Sequence, residues 1–268
     1  METLDFERRL RLENYAANTI IAYKYAVLDY HNRFKTLSKE NLQRYKTSLM
    51  DRFKPQTVNL RILAINKYLA FVGRPELRIK CLKLPRHTFV DNVISNDDYL
   101  FFKNMLRRKE SIRWYYIVWS LAATGARISE LVQFKVEHVF SGYIDVFSKG
   151  GRMRRLYFPV KLRKDVLQWL EKENRYSGYL FLNARGERLT PRGIALRLKH
   201  YAAIYGIDPV LVHPHAFRHL FAKNFLRKSN DITLLADLMG HNSIETTRIY
   251  LQQSSREQGK LMDRIVDW

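Results

Sequence analysis

A stretch near the end of the chain, LMGHNSIETTRIY (238–250), places a histidine nine positions before a tyrosine inside a helical pattern. Three earlier stretches also carry basic residues: TGARISEL at 124–131, SKGGRMRR at 148–155 and HPHAFRHL at 213–220. An arginine fork can meet two phosphate oxygens at once, and a tyrosine hydroxyl can be activated as a nucleophile. Together these residue types could attack a phosphodiester, although each stretch alone is a weak signal.

The order and spacing of the four stretches resemble the tyrosine recombinase family, the phage-integrase and Xer-like enzymes that cut and rejoin DNA at specific sites. The N-terminal segment FERRLRLENYAANTIIAYKYAVLDYHNRF also looks like the helical core-binding domain of that family. The resemblance implies an active-site set made of Arg127, Glu130, Lys149, His215, Arg218, His241 and Tyr250. Tyr250 would then be the nucleophile rather than a packing residue.

The implied roles of the phosphate-binding residues agree with their chemistry. A phosphodiester under attack gains negative charge on its non-bridging oxygens, and Arg127 and Arg218 would clamp those oxygens. His241 would add a further hydrogen bond to the phosphate. Glu130, three residues after Arg127 on an expected shared helix face, would hold that guanidinium in place.

The implied proton transfers also agree with the residue types. A tyrosine hydroxyl is a poor nucleophile at neutral pH, so Tyr250 needs a base, for which His215 is the candidate. Lys149, on a hairpin turn, would protonate the leaving 5′ hydroxyl as general acid. A 3′-phosphotyrosine bond keeps the energy of the broken phosphodiester, so ATP is not expected. The sequence shows neither a P-loop pattern nor an acidic cluster for a two-metal site, so no metal or other cofactor is expected.

HPHAFRHL holds three histidines, and the spacing of the family selects His215 and Arg218. His213 precedes the helix and is expected to be a turn residue. His219 is expected on a different face, in a structural or supporting role. Near Lys149, a crowd of arginines makes the lysine assignment less specific, and these are expected to contact DNA: Arg152, Arg154 and Arg155.

The charge of the chain favours a polyanionic partner. Lys and Arg number 47 against 26 Asp and Glu, a formal charge of +21, which would repel itself without such a partner. The excess is present in residues 1–84 (17 basic, 8 acidic) and in residues 85–268 (30 basic, 18 acidic). We therefore expect both parts to bind double-stranded DNA.

No apolar run approaches a membrane-spanning length, and no signal-peptide pattern opens the chain. The single Cys81 excludes an internal disulfide and is expected to be a buried thiol. These features predict a cytoplasmic, nucleoid-associated protein without a membrane partner.

Hydrophobic periodicity predicts a mainly α-helical protein with one small β-hairpin. Four amphipathic helices are expected early in the chain, at about 2–13, 17–34, 38–52 and 56–72. With the resemblance, this predicts a two-domain tyrosine recombinase fold: a helical core-binding domain at 1–84 and a mixed α+β catalytic domain at 85–268, divided near Pro85. The hairpin is expected at 143–160 around a K-G-G turn. Tyr250 is expected on a short helix over 243–251.

We therefore expect a site-specific recombinase of the simple Xer-like type, without an arm-site domain, whose two domains clamp duplex DNA. The resemblance implies four protomers, identical or paired with a second recombinase, that exchange strands through a Holliday junction. A mobile-element integrase or a type IB topoisomerase-like relaxer would use the same chemistry. A DNA-binding regulator with the fold but without catalysis is a further alternative, which the filled active-site set disfavours.

Overall fold

The computed structural model describes residues 2–84, 94–108, 112–147, 153–241, 243–250 and 262–266. The chain forms two compact units, Met1–Arg86 and His87–Trp268. The expected boundary at Pro85 lies outside the described residues. Each unit has a hydrophobic core of its own.

The first unit is helical, as the periodicity predicts. Its helices are α1 (Glu2–Leu12), α2 (Ala17–Arg33), α3 (Lys39–Met50) and α4 (Pro55–Phe71), followed by a 3-10 turn at Pro75–Leu77. The apolar stripe of α4 is fully buried, at Val58, Ile62, Ile65 and Leu69.

The segment after α4 corrects the expectation for Cys81. The thiol is exposed, because the side chains of Ile79 and Leu82 on either side turn toward the core instead. Asn66 and Asn59 fix this segment by exchanging hydrogen bonds with the backbone of Ile79 and Leu82.

The second unit is built around one buried helix. Its helices are α5 (Asn96–Arg108), α6 (Ile112–Thr124), α7 (Ile128–Leu131), α8 (Val136–Ser141), α9 (Val160–Lys172), α10 (Pro191–Ile204), α11 (Pro214–Ser229), α12 (Ile232–Met239) and α13 (Ile244–Arg248). Helix α6 packs against α5, α9 and α11, and most of its residues between 114 and 121 are buried. This packing gives α11, which carries His215 and His219, a fixed support.

A hairpin of β1 (Tyr143–Phe147) and β2 (Met153–Tyr157) is the one sheet in the described part of the chain. The strands are antiparallel, with Tyr143 opposite Tyr157 and Phe147 opposite Met153. The predicted strand pairing is confirmed, because the alternating burial of both strands matches the period of two. Residues 148–152, where the sequence predicts the turn and which include Lys149 and Arg152, lie outside the described residues. Within the described ranges, no helix has the length and apolar character to cross a bilayer.

Candidate active site

Gly125 ends helix α6 and turns the chain toward the site. Its φ is +64°, and a Cβ at this position would lie 2.5 Å from Cδ1 of Phe221. A side chain here would therefore meet both backbone strain and a packed ring. The turn leaves Arg127 in an extended conformation, immediately before α7.

Glu130 holds Arg127, but not for the reason that the sequence suggests. The expected contact is present, with Nη1 of Arg127 3.0 Å from Oε1 of Glu130. Arg127 is the N-cap residue of α7 and not part of that helix. The expectation that Arg127 and Glu130 share a helix face is therefore wrong. The carboxylate is instead a helix N-terminal acceptor, because its Oε2 also receives the backbone N–H of Arg127 at 2.7 Å. Glu130 is thus tied to Arg127 at two points.

Arg154 occupies the other side of the same carboxylate. Its Nη1 and Nη2 donate to the two oxygens of Glu130 at 3.1 and 2.8 Å, and its Nε donates to the Leu238 carbonyl at 3.0 Å. The Arg154 side chain is only 5% exposed. The expectation that Arg154 contacts DNA does not fit this burial, which follows from its inward position on β2.

Arg218 is the most deeply buried charge of the site. It is 1% exposed and donates to the carbonyl oxygens of Gly125 and Met239. Burial, and then the charges of Arg127 and Arg154, lower the pKa of Arg218 to about 10, so the guanidinium stays protonated at neutral pH. A charge kept in such surroundings favours an anion as its partner.

The C-terminal end of α12 gathers all three arginines. The carbonyls of its last residues and of its cap accept from a different guanidinium each: Leu238 from Arg154, Met239 from Arg218 and Gly240 from Arg127. The carbonyl end of a helix carries partial negative charge, which suits three cations. The left-handed Gly240 that ends this helix is visible in the sequence, but the side chains that reach its carbonyls are not, and the sequence analysis missed this arrangement.

His241 follows the same helix end and is fixed on both ring nitrogens. Its Nδ1 lies 2.8 Å from Oγ1 of the buried Thr247, and its Nε2 lies 3.4 Å from Nη2 of Arg218. Burial, and then the charges of Arg218, Arg127 and Arg154, lower the pKa of His241 to about 4. The ring is therefore neutral at physiological pH, and Thr247 is a supporting residue that the sequence analysis did not identify.

Tyr250 lies against this group of side chains. It is 6% exposed, and its ring is stacked at 14° to the ring of His241, with centroids 6.2 Å apart. Helix α13 ends at Arg248, so the expected helix through residue 251 is too long, and Tyr250 sits in the following turn, where its N–H donates to Thr247. Burial raises the pKa of Tyr250, while the charges of Arg218 and Arg127 oppose that rise.

The three histidines of HPHAFRHL have different surroundings. His213 precedes α11, where its Nδ1 accepts from the N–H of Ala216 at 2.9 Å, which confirms it as a turn residue. His215 is exposed on the first turn of α11. Desolvation, and then the charges of Arg218 and His213, lower the pKa of His215, which favours the neutral ring.

His219 corrects the expectation that it points to a different face. Its ring is 4.6 Å from that of His215 and 5.3 Å from that of Tyr250, so it lies between them. Its buried Nδ1 has no hydrogen-bond partner among the described residues. Burial and neighbouring histidines lower its pKa to about 4.

The structure therefore brings together most of the expected set: Arg127, Glu130, Arg218, His241, Tyr250 and, through His219, His215. Lys149 and Arg152 lie outside the described residues. Arg155 is exposed on the outer face of β2, where it pairs with Asp145 at 2.8 and 2.9 Å. Across the described ranges, no three His, Cys, Asp or Glu side chains are grouped so that they could hold a metal ion.

The sequence profile of the phage integrase family matches residues 92–257, which include the whole of this site. The chain belongs to that family. It is a tyrosine recombinase, an enzyme that cleaves and rejoins DNA at specific sites.

Full-length relatives agree with this assignment. The tyrosine recombinase XerA of Pyrococcus furiosus is 29% identical over 97% of this chain and 92% of its own length. The tyrosine recombinase XerD of Vibrio cholerae is 27% identical over 93% of this chain and 89% of its own length. Both similarities extend well beyond the catalytic motifs.

Solved structures share the fold. The Tn1549 transposon integrase, in complex with transposon right end DNA, superposes with a TM-score of 0.74 at 14% identity and covers 98% of this chain and 99% of that one. The XerH site-specific recombinase bound to difH gives 0.70 at 18% identity, over 96% and 83% of the two chains. The predicted fold class, mainly helical with a small antiparallel hairpin, is confirmed.

Proposed function

We propose that Tyr250 is the nucleophile of this recombinase. Its hydroxyl oxygen attacks the scissile phosphorus, so that a 3′-phosphotyrosine bond forms and the bond to the 5′ oxygen breaks. The observation that carries the proposal is the position of Tyr250, buried beside Arg218 and His241 in a site where three arginines are accompanied by one carboxylate, which contacts only two of them. This surplus of positive charge suits a phosphate that gains negative charge under attack.

The guanidinium groups of Arg127 and Arg218 bind the non-bridging oxygens in this proposal. Each is held by a backbone carbonyl of the α12 end, so little reorganisation is needed when the phosphate arrives. The Arg127 side chain is 36% exposed and can reach DNA. Arg218 is buried and binds the phosphate from the interior side of the site. His241 adds a hydrogen bond once its weak 3.4 Å contact with Arg218 is released.

Proton transfer is assigned to the two remaining members of the set. His215, whose lowered pKa favours the neutral ring, takes the proton of the Tyr250 hydroxyl when DNA binds. Lys149 gives a proton to the leaving 5′ oxygen; the resemblance to the family supports this role. The reverse sequence reseals the strand without ATP.

Strand exchange requires an assembly of several protomers. We infer a tetramer on two DNA sites, formed by this chain alone or with a second recombinase, that proceeds through a Holliday junction in the cytoplasm at the nucleoid. Residues 262–265 are helical, with Met262 58% and Ile265 55% exposed. Such an apolar face at the chain end suits docking on a neighbouring protomer.

DNA binding is assigned to both units. The first unit carries its own positive excess, and its helices would contact phosphates as a core-binding domain. In the second unit, Arg155 remains a candidate for a phosphate contact, because it is exposed and its pairing with Asp145 is at the surface. Arg152 is assigned the same role from its position in the sequence.

Covalent capture tests the nucleophile directly. The protein is mixed with fragmented genomic DNA in EDTA, stopped with detergent, and the DNA that remains attached is isolated and sequenced at its ends. We expect capture at one short, roughly palindromic sequence. Tyr250→Phe should abolish capture with little change in DNA affinity, because the hydroxyl is lost while the phosphate contacts remain.

Tyr176→Phe is the matched control, since that tyrosine is 64% exposed and no site residue contacts it in the described part of the chain. Capture that survives in Tyr250→Phe would move the nucleophile elsewhere. Capture spread over unrelated sequences, together with relaxation of any supercoiled plasmid, would favour the topoisomerase-like alternative.

A further inference from the structure

Arg154 is a buried cation that the phosphate chemistry described above does not use. It lies on β2 between Met153 and Arg155, which both face outward, and its own side chain faces the interior. Isolated buried charges are costly, so such an arginine requires compensating partners. Here the partners are the carboxylate of Glu130 and the Leu238 carbonyl.

The Glu130 carboxylate is divided between two arginines. Its Oε1 accepts from Arg127 at 3.0 Å and from Arg154 at 3.1 Å. Its Oε2 accepts from the backbone of Arg127 at 2.7 Å and from Arg154 at 2.8 Å. The bidentate contact with Arg154 fixes the plane of the carboxylate, and with it the direction from which Arg127 is held.

The same guanidinium links two elements of the site. Through Leu238 it contacts the end of α12, whose next two carbonyls hold Arg218 and Arg127. Through its backbone it belongs to the hairpin, five residues after Lys149. Arg154 therefore connects the hairpin, α7 and α12 at one point.

We propose that Arg154 is a positioning residue of the recombination reaction, which sets the orientation of Arg127 by holding Glu130 and the end of α12. The proposal rests on the proposed role of Arg127 in phosphate binding. Arg154 keeps the carboxylate partly neutralised, so Arg127 retains attraction for the phosphate. Its planar fork is required, because a lysine at this position would supply the charge without the two-point contact.

The first test is the rate of single-turnover cleavage by Arg154→Lys, on the duplex recovered by covalent capture with the wild-type chain. We expect a loss of about a hundredfold, the order expected when a catalytic group is misplaced by about 1 Å, with nearly unchanged DNA affinity. A loss of affinity as large as the loss of rate would show a direct DNA contact and overturn the proposal.

A second substrate tests whether the slower cleavage by Arg154→Lys depends on the negative charge of the scissile phosphate. In this duplex a methylphosphonate replaces the scissile phosphate, which removes the negative charge that the arginines meet. The defect of Arg154→Lys should shrink on this substrate, in parallel with that of Arg127→Lys. An equal defect on both substrates would indicate general damage to the unit rather than action through Arg127.

A double-mutant cycle tests the shared carboxylate. Glu130→Gln keeps the shape of the side chain and removes its charge. If Arg154 acts through Glu130, the variant carrying both changes should cleave at about the rate of the slower single variant, because the two changes break one contact. Multiplied defects would contradict the proposal.

A measurement without DNA separates this proposal from the proposed function. The guanidinium NMR signals of Arg127, assigned with Arg127→Lys, should shift or broaden in Arg154→Lys and stay unchanged in the neighbouring Arg155→Lys. An unchanged Arg127 signal in Arg154→Lys overturns the positioning role, whether or not the wild type cleaves DNA. If the Arg127 signal shifts in Arg154→Lys while the wild type cleaves no DNA, the positioning of Arg127 by Arg154 stands and the proposed function fails.

Discussion

Among the residues that the structure describes, two carboxylates are each shared by two arginines, one in each unit, and the two clusters differ in what surrounds them. In the first unit, Asp29 accepts from Arg61 at 2.7 Å, from Arg33 at 3.1 Å and from the hydroxyl of Tyr45 at 3.0 Å. The guanidinium of Arg61 is covered by the ring of Phe53 at 4.2 Å. This cluster is closed by aromatic side chains.

The Glu130 cluster in the second unit is open instead. Here Arg127 and Arg154 share one carboxylate. Arg218 adds a third cation, whose partners within the described part of the chain are carbonyl oxygens and His241. Backbone carbonyls orient a guanidinium without cancelling its charge. Buried ion pairs alone therefore do not indicate an anion site, whereas a surplus of oriented cations over carboxylates does.

The largest effect that would test this difference is expected from Arg218→Gln. Loss of one oriented cation that stabilises transition-state charge typically lowers the rate by about a thousandfold. DNA affinity should change little, because many backbone phosphates contribute to it. Single-turnover cleavage of the captured duplex and a binding titration measure the two quantities. A variant that cleaves at the wild-type rate would remove Arg218 from phosphate binding.

A smaller effect, on stability rather than on chemistry, is expected from Arg61→Met. Removing one partner of a fully buried ion pair costs about 3–5 kcal/mol, and here about 2 kcal/mol is expected, because Arg33 and Tyr45 still hold Asp29. Urea unfolding measures the change in free energy. Cleavage per folded molecule should stay at the wild-type level; a large loss of cleavage in folded protein would mean that the closed cluster also serves the reaction.

The extent of α13 did not follow from the sequence pattern, since this helix ends at Arg248 rather than at residue 251. For the longer helices, hydrophobic periodicity and a recognisable breaker were sufficient. The stripe of α4 and the glycines at 125 and 240 are examples. The strand pairing was equally predictable from alternation around a glycine-containing turn. These features depend on local chemistry, which a sequence displays.

The partners within the site were less predictable, since they depend on which elements meet. Arg154 and Arg155 are adjacent and chemically identical, yet one is buried against Glu130 and the other is exposed. The two arginines differ only in the face of β2 from which they project: the side chain of Arg154 points inward and that of Arg155 points outward. Similarly, His219 meets Tyr250 because α13 packs against α12 and ends at Arg248, a tertiary detail without a local signal.

The smallest effect concerns the histidines that lie beside the surplus charge. The pKa of His219 and of His241 is lowered to about 4 in the folded protein, against an ordinary value of about 6.5 in the unfolded chain. Between about pH 6.5 and pH 4 the unfolded state binds more protons than the folded state. The free energy of unfolding should therefore fall as the pH falls from about 6.5 toward 4. For these partly exposed rings we expect a loss on the order of 1 kcal/mol each between pH 7 and pH 5.

Thermal unfolding of the wild type and of His219→Gln, measured from pH 7 to pH 5, tests this expectation. The variant should lose part of the pH dependence, because glutamine does not titrate, and its midpoint should approach that of the wild type at the acidic end. The cause is burial first and then the neighbouring charges, of which His215 and Arg218 contribute to the low pKa of His219. If the thermal unfolding midpoint of the wild type does not depend on pH in this range, burial and the surplus positive charge do not lower the pKa of these histidines. The contrast with the closed Asp29 cluster would then not extend to the histidines.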